Sequence, residues 1–410
     1  MTYALSAGIL LAAPMVLPGA GQPRVFCADP KVLAANKARL AAGDAALQPA
    51  FQRLLAAANQ ALKTKAPSVM DKRRVAPSGD KHDFVSQAPY FWRDTNAPGE
   101  KYVRRDGERN PEANRDSDAG HFERLCADVH TLGLAYYFTG DEQYAAKAAE
   151  FLRVWFLDAA TRMNANLNFG QGIPGETEGR PSGLISARGL VDVVDGIGLL
   201  AGSKSWSATD QEGMVQWCEQ YLNWLTTSKI GMGEGRASNN HGSYYDTQVA
   251  ALALFTGQTN LAHSVLVAAR KKRIGTQIEP DGRQPRELAR TLSFDYSVFN
   301  LRALITLAVI GQNAGVDLWH YQTADGRSLL KALEFMAPYA DSGHAWPYSQ
   351  IHQPRRDTLA PVLSRAAAVY PHSGLDNALK FFPAGELASD PARLCFETEM
   401  PGATRSPAGH

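Results

Sequence analysis

Apolar residues that return at helical spacing, segment after segment in an alanine-rich background, are the feature that most limits what these 410 residues can fold into. The pattern runs through residues 31–62, 122–139, 141–156, 185–200 and 211–225, and again through 244–255, 261–270, 287–310, 329–339 and 358–370. Short turns join several of these segments, as in Phe138-Thr139-Gly140-Asp141 and Phe255-Thr256-Gly257-Gln258. The glycine suits a left-handed helix end, and the polar residue after it can cap the next helix. The chain therefore predicts an all-α protein built of antiparallel helical hairpins arranged about an axis. Segment lengths alone do not separate a closed toroid from an open solenoid. No Pro/Gly/Ser-rich linker divides the chain and no alternating β-branched run marks a sheet, which predicts one domain over residues 23–410.

A hydrophobic content of 45% is enough for a large core, and 35 glycines with 23 prolines stay well below a low-complexity composition. The net charge of +1 excludes the broad basic footprint of a nucleic-acid binder, so a polyanion would have to meet local clusters of cations. Residues 1–22 open with the apolar run Leu5-Ser6-Ala7-Gly8-Ile9-Leu10-Leu11-Ala12-Ala13 and pass into small residues at Gly19-Ala20-Gly21. That reads as a signal peptide lacking its basic n-region, and it predicts a periplasmic or secreted protein; a buried N-terminal helix is the alternative. No later stretch approaches the roughly 20 consecutive apolar residues that span a bilayer, so no membrane insertion is expected after processing. Cys27, Cys126, Cys218 and Cys395 form no CxxC pair and no zinc spacing with histidine, and no metal or other cofactor is expected. In an oxidising compartment Cys27 and Cys395 could join the two ends, although four unpaired buried cysteines is the simpler reading.

Three stretches depart from helical periodicity and concentrate polar and aromatic side chains: residues 78–111, 164–183 and 231–242. Long irregular segments in a compact protein tend to be binding loops. The first, running through His82-Asp83-Phe84 to Tyr90-Phe91-Trp92-Arg93, mixes stacking surfaces with cations as sugar sites do; a plug over a helix end would look similar. Within the third and just beyond it, Ser238-Asn239-Asn240-His241-Gly242-Ser243 sets two amides and an imidazole at the mouth of a helix. Helix capping accounts for one asparagine but for neither the second nor the histidine. Further on, Pro285-Arg286-Glu287-Leu288-Ala289-Arg290 leads to Tyr296. Arg286 and Arg290 are four apart and share a helical face. Tyr296 lies six beyond Arg290, about 120° round an ideal helix, so their joint use requires a bend or a non-helical first turn. Surface pairing of Arg286 and a core position for Tyr296 are the plainer alternatives.

These residue types suit β-elimination at a uronic acid. The carboxylate must be neutralised so that the C5 proton becomes acidic, a base must remove that proton, and an acid must protonate the departing O4. An asparagine and a guanidinium fork can do the first, histidine is a natural base, and a phenol beside an arginine can move a proton. On these residues the chain resembles the alginate lyase superfamily, and most the helical-toroid lyases of polysaccharide lyase families 5 and 38. The likeness covers nearly all of the chain after residue 22, from Pro77-Ser78-Gly79-Asp80-Lys81-His82-Asp83 through Tyr90-Phe91-Trp92 and Arg105-Asp106-Gly107-Glu108-Arg109-Asn110-Pro111 to Glu287-Leu288-Ala289-Arg290. It implies an (α/α) toroid and a metal-independent lyase acting on an acidic polysaccharide such as alginate or glucuronan. It further implies that Asn240 neutralises the carboxylate with help from Arg290, and that His241 and Tyr296 are the proton-transfer pair. Gly242-Ser243 after the histidine, and a shorter interval between Arg290 and Tyr296, depart from the family 5 pattern and favour family 38.

Around this centre, Tyr90, Trp92 and Trp346 are expected as stacking platforms, with Asn239, Gln171, Arg180 and Arg286 as polar substrate contacts. Glu176 and Glu178 could form a calcium-friendly turn or a solvated one. Two rival readings remain. A glycoside hydrolase on the same toroid would need paired acids, for which Asp106, Glu176, Glu178 and Asp246 are available. A non-catalytic uronan-binding protein of the cell envelope would have no need of both His241 and Tyr296.

Overall fold

The computed structural model describes residues 22–95, 101–115 and 117–398, so the expected signal peptide over 1–22 lies almost entirely outside the described residues. Two helices, α1 (Pro30–Ala41) and α2 (Gln48–Leu62), replace the single periodic stretch expected at 31–62. Gly43 takes φ +82 there and Asp44 accepts the Ala46 N–H, a turn that helical periodicity does not register. Next come α3 (Asp118–Thr139), α4 (Glu142–Leu152), α5 (Leu190–Leu199), α6 (Ala208–Thr227), α7 (Lys229–Gly235), α8 (Asn240–Phe255) and α9 (Thr259–Ala269). Two short turns, α10 (Gly275–Gln277) and α11 (Pro285–Leu288), precede α12 (Ser293–Asn313). The chain ends in α13 (Leu329–Met336), α14 (Ala360–Val369), α15 (Leu375–Leu379), α16 (Ala384–Ser389) and α17 (Ala392–Cys395).

These helices make an (α/α) toroid. An inner row packs α3 on α5, α5 on α8, α8 on α12 and α12 on α14, while α2, α4, α6, α9 and α13 lie outside, each against an inner helix. The predicted turn between α3 and α4 has Gly140 left-handed at φ +72 as C-cap and Asp141 capping α4 through the Gln143 N–H. The main core runs continuously through this double layer, from Phe122 and Trp155 to Leu304 and Leu363. α12 is 21 residues long and apolar enough to cross a membrane by length and composition, but 72% of its apolar window is buried, which makes it the central strut of the core. The first and last described segments complete the ring. α16 and α17 pack on α1 and α2, the Asp29 N–H donates to the Cys395 carbonyl at 3.0 Å, and Asn313 on α12 donates to the carbonyls of Phe26 and Ala28. All four cysteines are free thiols, so backbone and amide hydrogen bonds rather than a Cys27–Cys395 disulfide join these segments.

Two of the three irregular stretches contain small sheets. β1 (Val85–Gln87) pairs in parallel with β4 (Phe169–Gly172), and β2 (Phe91–Arg93) pairs antiparallel with β3 (Tyr102–Arg104). They rise beside one mouth of the toroid, where the inner helices α3, α8 and α12, and the turn Pro181–Ala187 leading into α5, all begin. Helix N-termini present unpaired N–H groups and a partial positive charge. The architecture thus points several positive helix ends at one opening, a setting that favours an anionic ligand.

Candidate active site

A cleft of about 880 Å³ occupies that mouth, bounded on one side by Ser86 to Tyr90 and Arg104 and on the other by the first turns of α3, α8 and α12. Asn239, Asn240 and His241 enter it from the start of α8. Asn239 holds the N-cap position without a side-chain capping bond, so capping explains neither asparagine. Asn240 is 1% exposed; its backbone N–H and its Nδ2 both donate to the Glu287 carboxylate, each at 2.7 Å. Its Oδ1 is buried with no hydrogen-bond partner among the described residues. Glu287, which sequence reading left as a surface neighbour of Arg286, is fully buried, and burial pushes its pKa up against the hydrogen bonds from Asn240. His241 Nδ1 lies 2.6 Å from Oε1 of buried Glu234. An ionised carboxylate can only accept, so Nδ1 carries the hydrogen and the Nε2 lone pair is left for the cleft. Gly242 is obligatory: a Cβ there would stand 2.0 Å from the Ala237 carbonyl and 2.1 Å from Arg273 Nη1.

Arg290 and Tyr296 come from the break before α12. The stretch expected as one helix over 287–310 stops at α11 and restarts at Ser293, because Asp106 engages both the Thr291 N–H and its hydroxyl. This non-helical turn is the bend that joint use of the two residues required. The Arg290 guanidinium stacks directly on the Tyr296 ring, 3.6 Å from its centroid. Its Nε and Nη2 both bond Asp106, at 2.9 and 2.7 Å, so the fork expected to bind a substrate carboxylate is occupied by a carboxylate of the protein. Burial acts to raise the Asp106 carboxyl, but hydrogen bonds from Arg290 and the Thr291 N–H outweigh it and hold it at about 2. The Tyr296 hydroxyl is 2.5 Å from that of Tyr90. Burial, reinforced by Tyr90, raises the Tyr296 pKa above that of a free phenol, and the opposing pull of Arg290 is the weaker influence. Arg290 beside it therefore does not make this phenol more acidic than a free one.

Gln171 and Arg180 face each other across the base of the β1–β4 pair, with Arg180 Nη2 donating to Gln171 Oε1 at 2.8 Å; both line the cleft, as does Tyr90. Gly183 packs on the backbone of Gly170, where a Cβ would meet the Gly170 carbonyl at 2.4 Å, and this close approach brings the two ends of the loop together.

Three expected contacts lie elsewhere. Arg286 is exposed on α11, because Glu287 takes the inward position and turns its neighbour to solvent. Trp92 is outside the cleft lining, donating Nε1–H to the Glu108 carbonyl beneath the Arg105 guanidinium. Trp346 belongs to an aromatic cluster with Phe294, Phe335, Tyr339 and Tyr348, and it donates to Ser293 Oγ at the start of α12. It supports the helix that carries Tyr296 and is absent from the cleft lining.

The acids of the hydrolase reading do not assemble. Asp106 is tied to Arg290, Asp246 is buried against Arg273 at 2.7 Å, and Glu176 and Glu178 line a separate groove. Among the described residues, no group of three or more His, Cys, Asp or Glu side chains is placed to hold a metal ion, the Glu176–Glu178 turn included.

The sequence profile of the family described as alginate lyase matches residues 68–346, more than half of the chain. The chain belongs to the alginate lyase family. It is a polysaccharide lyase. An alginate lyase from Bacteroides ovatus shares 39% identity and superposes with a TM-score of 0.86, over 91% of this chain and 99% of that one. Alginate lyase A1-III from Sphingomonas species A1 has the same fold at 18% identity, with a TM-score of 0.58 over 92% of this chain and 96% of that one. A variant of A1-III in complex with a tetrasaccharide superposes with a TM-score of 0.53 at 16% identity, over 86% of this chain and 97% of that one. No curated protein sequence matches significantly. In this lyase the residues that sequence reading missed are the carboxylates behind the expected ones. Glu234 stood in a glycine-rich stretch, 231–242, assigned as a loop; α7 forms there because Ser228 caps it through the Gly231 N–H.

Proposed function

We propose that this lyase cleaves a 1,4-linked uronan, alginate or glucuronan, by β-elimination, leaving 4,5-unsaturated uronate ends, with residues 23–410 acting as one lyase domain. The observation that carries the reading is the His241 imidazole, held through Nδ1 by Glu234, in the same cleft as the Tyr296 phenol, which is held by Tyr90 and stacked under Arg290. In the elimination the C5–H electron pair becomes the C4=C5 bond, the C4–O4 bond breaks, and O4 leaves with a proton. Where the C5 proton and O4 lie on opposite faces, as in guluronate, His241 takes the first proton and Tyr296 supplies the second. Where they lie on one face, as in mannuronate and glucuronate, Tyr296 performs both transfers only from its phenolate, the form that burial disfavours and that the stacked Arg290 cation and the Tyr90 hydroxyl support; the phenolate takes the C5 proton and returns it to O4. Asn240, in the cleft lining and held by Glu287, is the amide nearest to hand for the substrate carboxylate. The tetrasaccharide seen with A1-III supports an acidic polysaccharide as partner. We also read the enzyme as periplasmic or secreted, on the signal-like residues 1–22 and because such polymers are met outside the cytoplasm.

The test is to supply mannuronate and guluronate blocks, glucuronan and hyaluronan, with and without a chelator, and to follow ultraviolet absorbance of unsaturated ends alongside total reducing ends. Matched growth of both on alginate or glucuronan, unaffected by chelator, is the expected result. Reducing ends without absorbance would mean hydrolysis and overturn the reading.

A further inference from the structure

The cations of the cleft are not equivalent. Arg104 and Arg290 both pair with Asp106, at 2.5 and 2.7 Å, Arg188 pairs with Glu123, and Arg355 lies 3.5 Å from Asp295. Arg180 differs from these four: among the described residues no carboxylate forms a salt bridge with it, and its one side-chain acceptor is the neutral Gln171 amide. Its Nε–H is buried without a hydrogen-bond partner, and its guanidinium lies over the Phe91 ring, 5.0 Å from the centroid. A partly buried cation in a cleft lining, with no acid of its own, is costly unless an anion arrives to meet its charge. Burial disfavours its charge and Arg104 adds to that, against weaker support from Glu234 and Glu176.

Its position is central to the chemistry. The Pro181 ring packs where a Cβ on Gly233 would meet it at 2.7 Å, and the next residue is Glu234, which holds His241. Phe91, beneath the guanidinium, adjoins Tyr90, which bonds Tyr296. The acceptor Gln171 is held at φ +52, a conformation rare outside glycine and common where a site over-determines its backbone.

We infer that Arg180 is the residue that pairs with the carboxylate of the uronate being cut, while Arg290, its fork held by Asp106, serves Tyr296 instead. This rests on the lyase reading above. The carboxylate opposes loss of the C5 proton until its charge is met, and as that proton leaves, a second negative charge develops on the same oxygens. A guanidinium that has no acid of its own can meet both.

The experiment compares the parent enzyme with R180A, R180Q and R180K, in turnover of alginate or glucuronan and in calorimetric binding of a saturated oligouronate against a neutral oligosaccharide of the same length. R180A and R180Q should lose about 10²–10³-fold in kcat/KM, the size of effect seen when one donor to a developing anion is removed. R180K, which keeps the charge but not the fork, should recover part of that. Binding of the acidic ligand should fall while that of the neutral one is unchanged. R180Q within threefold of the parent in turnover, or equal losses of acidic and neutral binding, would overturn the assignment. R180K guards against misfolding, since it preserves charge and length. Failure of the lyase reading would show separately, as a parent that binds the oligouronate but makes no unsaturated ends.

Discussion

The two sides of the cleft hold their proton-transfer groups in opposite ways. On the α8 side His241 has, among the described residues, one side-chain partner, Glu234, at 2.6 Å, and a side chain 22% exposed that can reach a substrate. On the α12 side Tyr296 sits under three layers of support: its hydroxyl on Tyr90, a cation stacked on its ring, and Asp106 fixing that cation. The difference follows from what each group has to do. In the guluronate route the base needs one defined tautomer and an open lone pair, whereas the acid must keep its proton until O4 departs.

The sharpest way to break this comparison is Y296F, which removes the donor and leaves the ring under Arg290. Turnover should fall about 10²–10⁴-fold with oligouronate binding nearly intact; normal turnover would remove Tyr296 from the reaction. Next is H241A, assayed on guluronate and mannuronate blocks in parallel. Guluronate cleavage should fall by about 10²–10⁴-fold and mannuronate cleavage by much less, and equal losses would mean that both substrates use the imidazole as base. E234A tests the tautomer alone: loss of a charge-assisted hydrogen bond worth about 1.5–3 kcal/mol predicts a fall in kcat of roughly 10–150-fold. E234Q, which can still accept from Nδ1–H, should fall less.

On the Tyr296 side, D106N should cost stability as well as activity. Asp106 titrates at about 2 in the folded protein, below the unfolded value of about 3.9. Its contribution, about 2 kcal/mol, is therefore fully present above roughly pH 4 and is lost as pH falls through the folded value. Denaturant unfolding of parent and variant should differ at pH 7 and converge in acid; a gap unchanged at low pH would show that Asp106 stabilises by packing alone. The smallest effects belong to residues the fold places outside the cleft. R286A and W92A should leave KM within about twofold, the range of an ordinary surface change, and a larger rise for either would mean that the substrate extends beyond the cleft mouth.

Much of this was legible in the chain. The helical segments, the Gly140 turn and the placing of Asn240 and His241 at a helix start follow from spacing and capping, which act over a few residues. The Arg290–Tyr296 pair was legible as a problem, six residues apart on an ideal helix, and the bend before Ser293 is its solution. Trp92, Trp346 and Arg286 were misplaced because an aromatic or cationic side chain in a polar loop carries no mark of which way it faces. α7 was missed because three glycines mask its periodicity.

By itself, then, the amino-acid order determined the hairpins of the toroid and the identity of the amides, imidazole, guanidinium and phenol available for chemistry, since these depend on local periodicity and side-chain type. Only the tertiary structure decided what stands behind them. Glu287 under Asn240 is 47 residues away in the chain, Asp106 against Arg290 is 184 away, and Tyr90 on Tyr296 is 206 away. Pairings across such intervals are set by which helix ends the ring brings to one mouth. There a buried acid settles a tautomer, occupies a fork or leaves a neighbouring cation free.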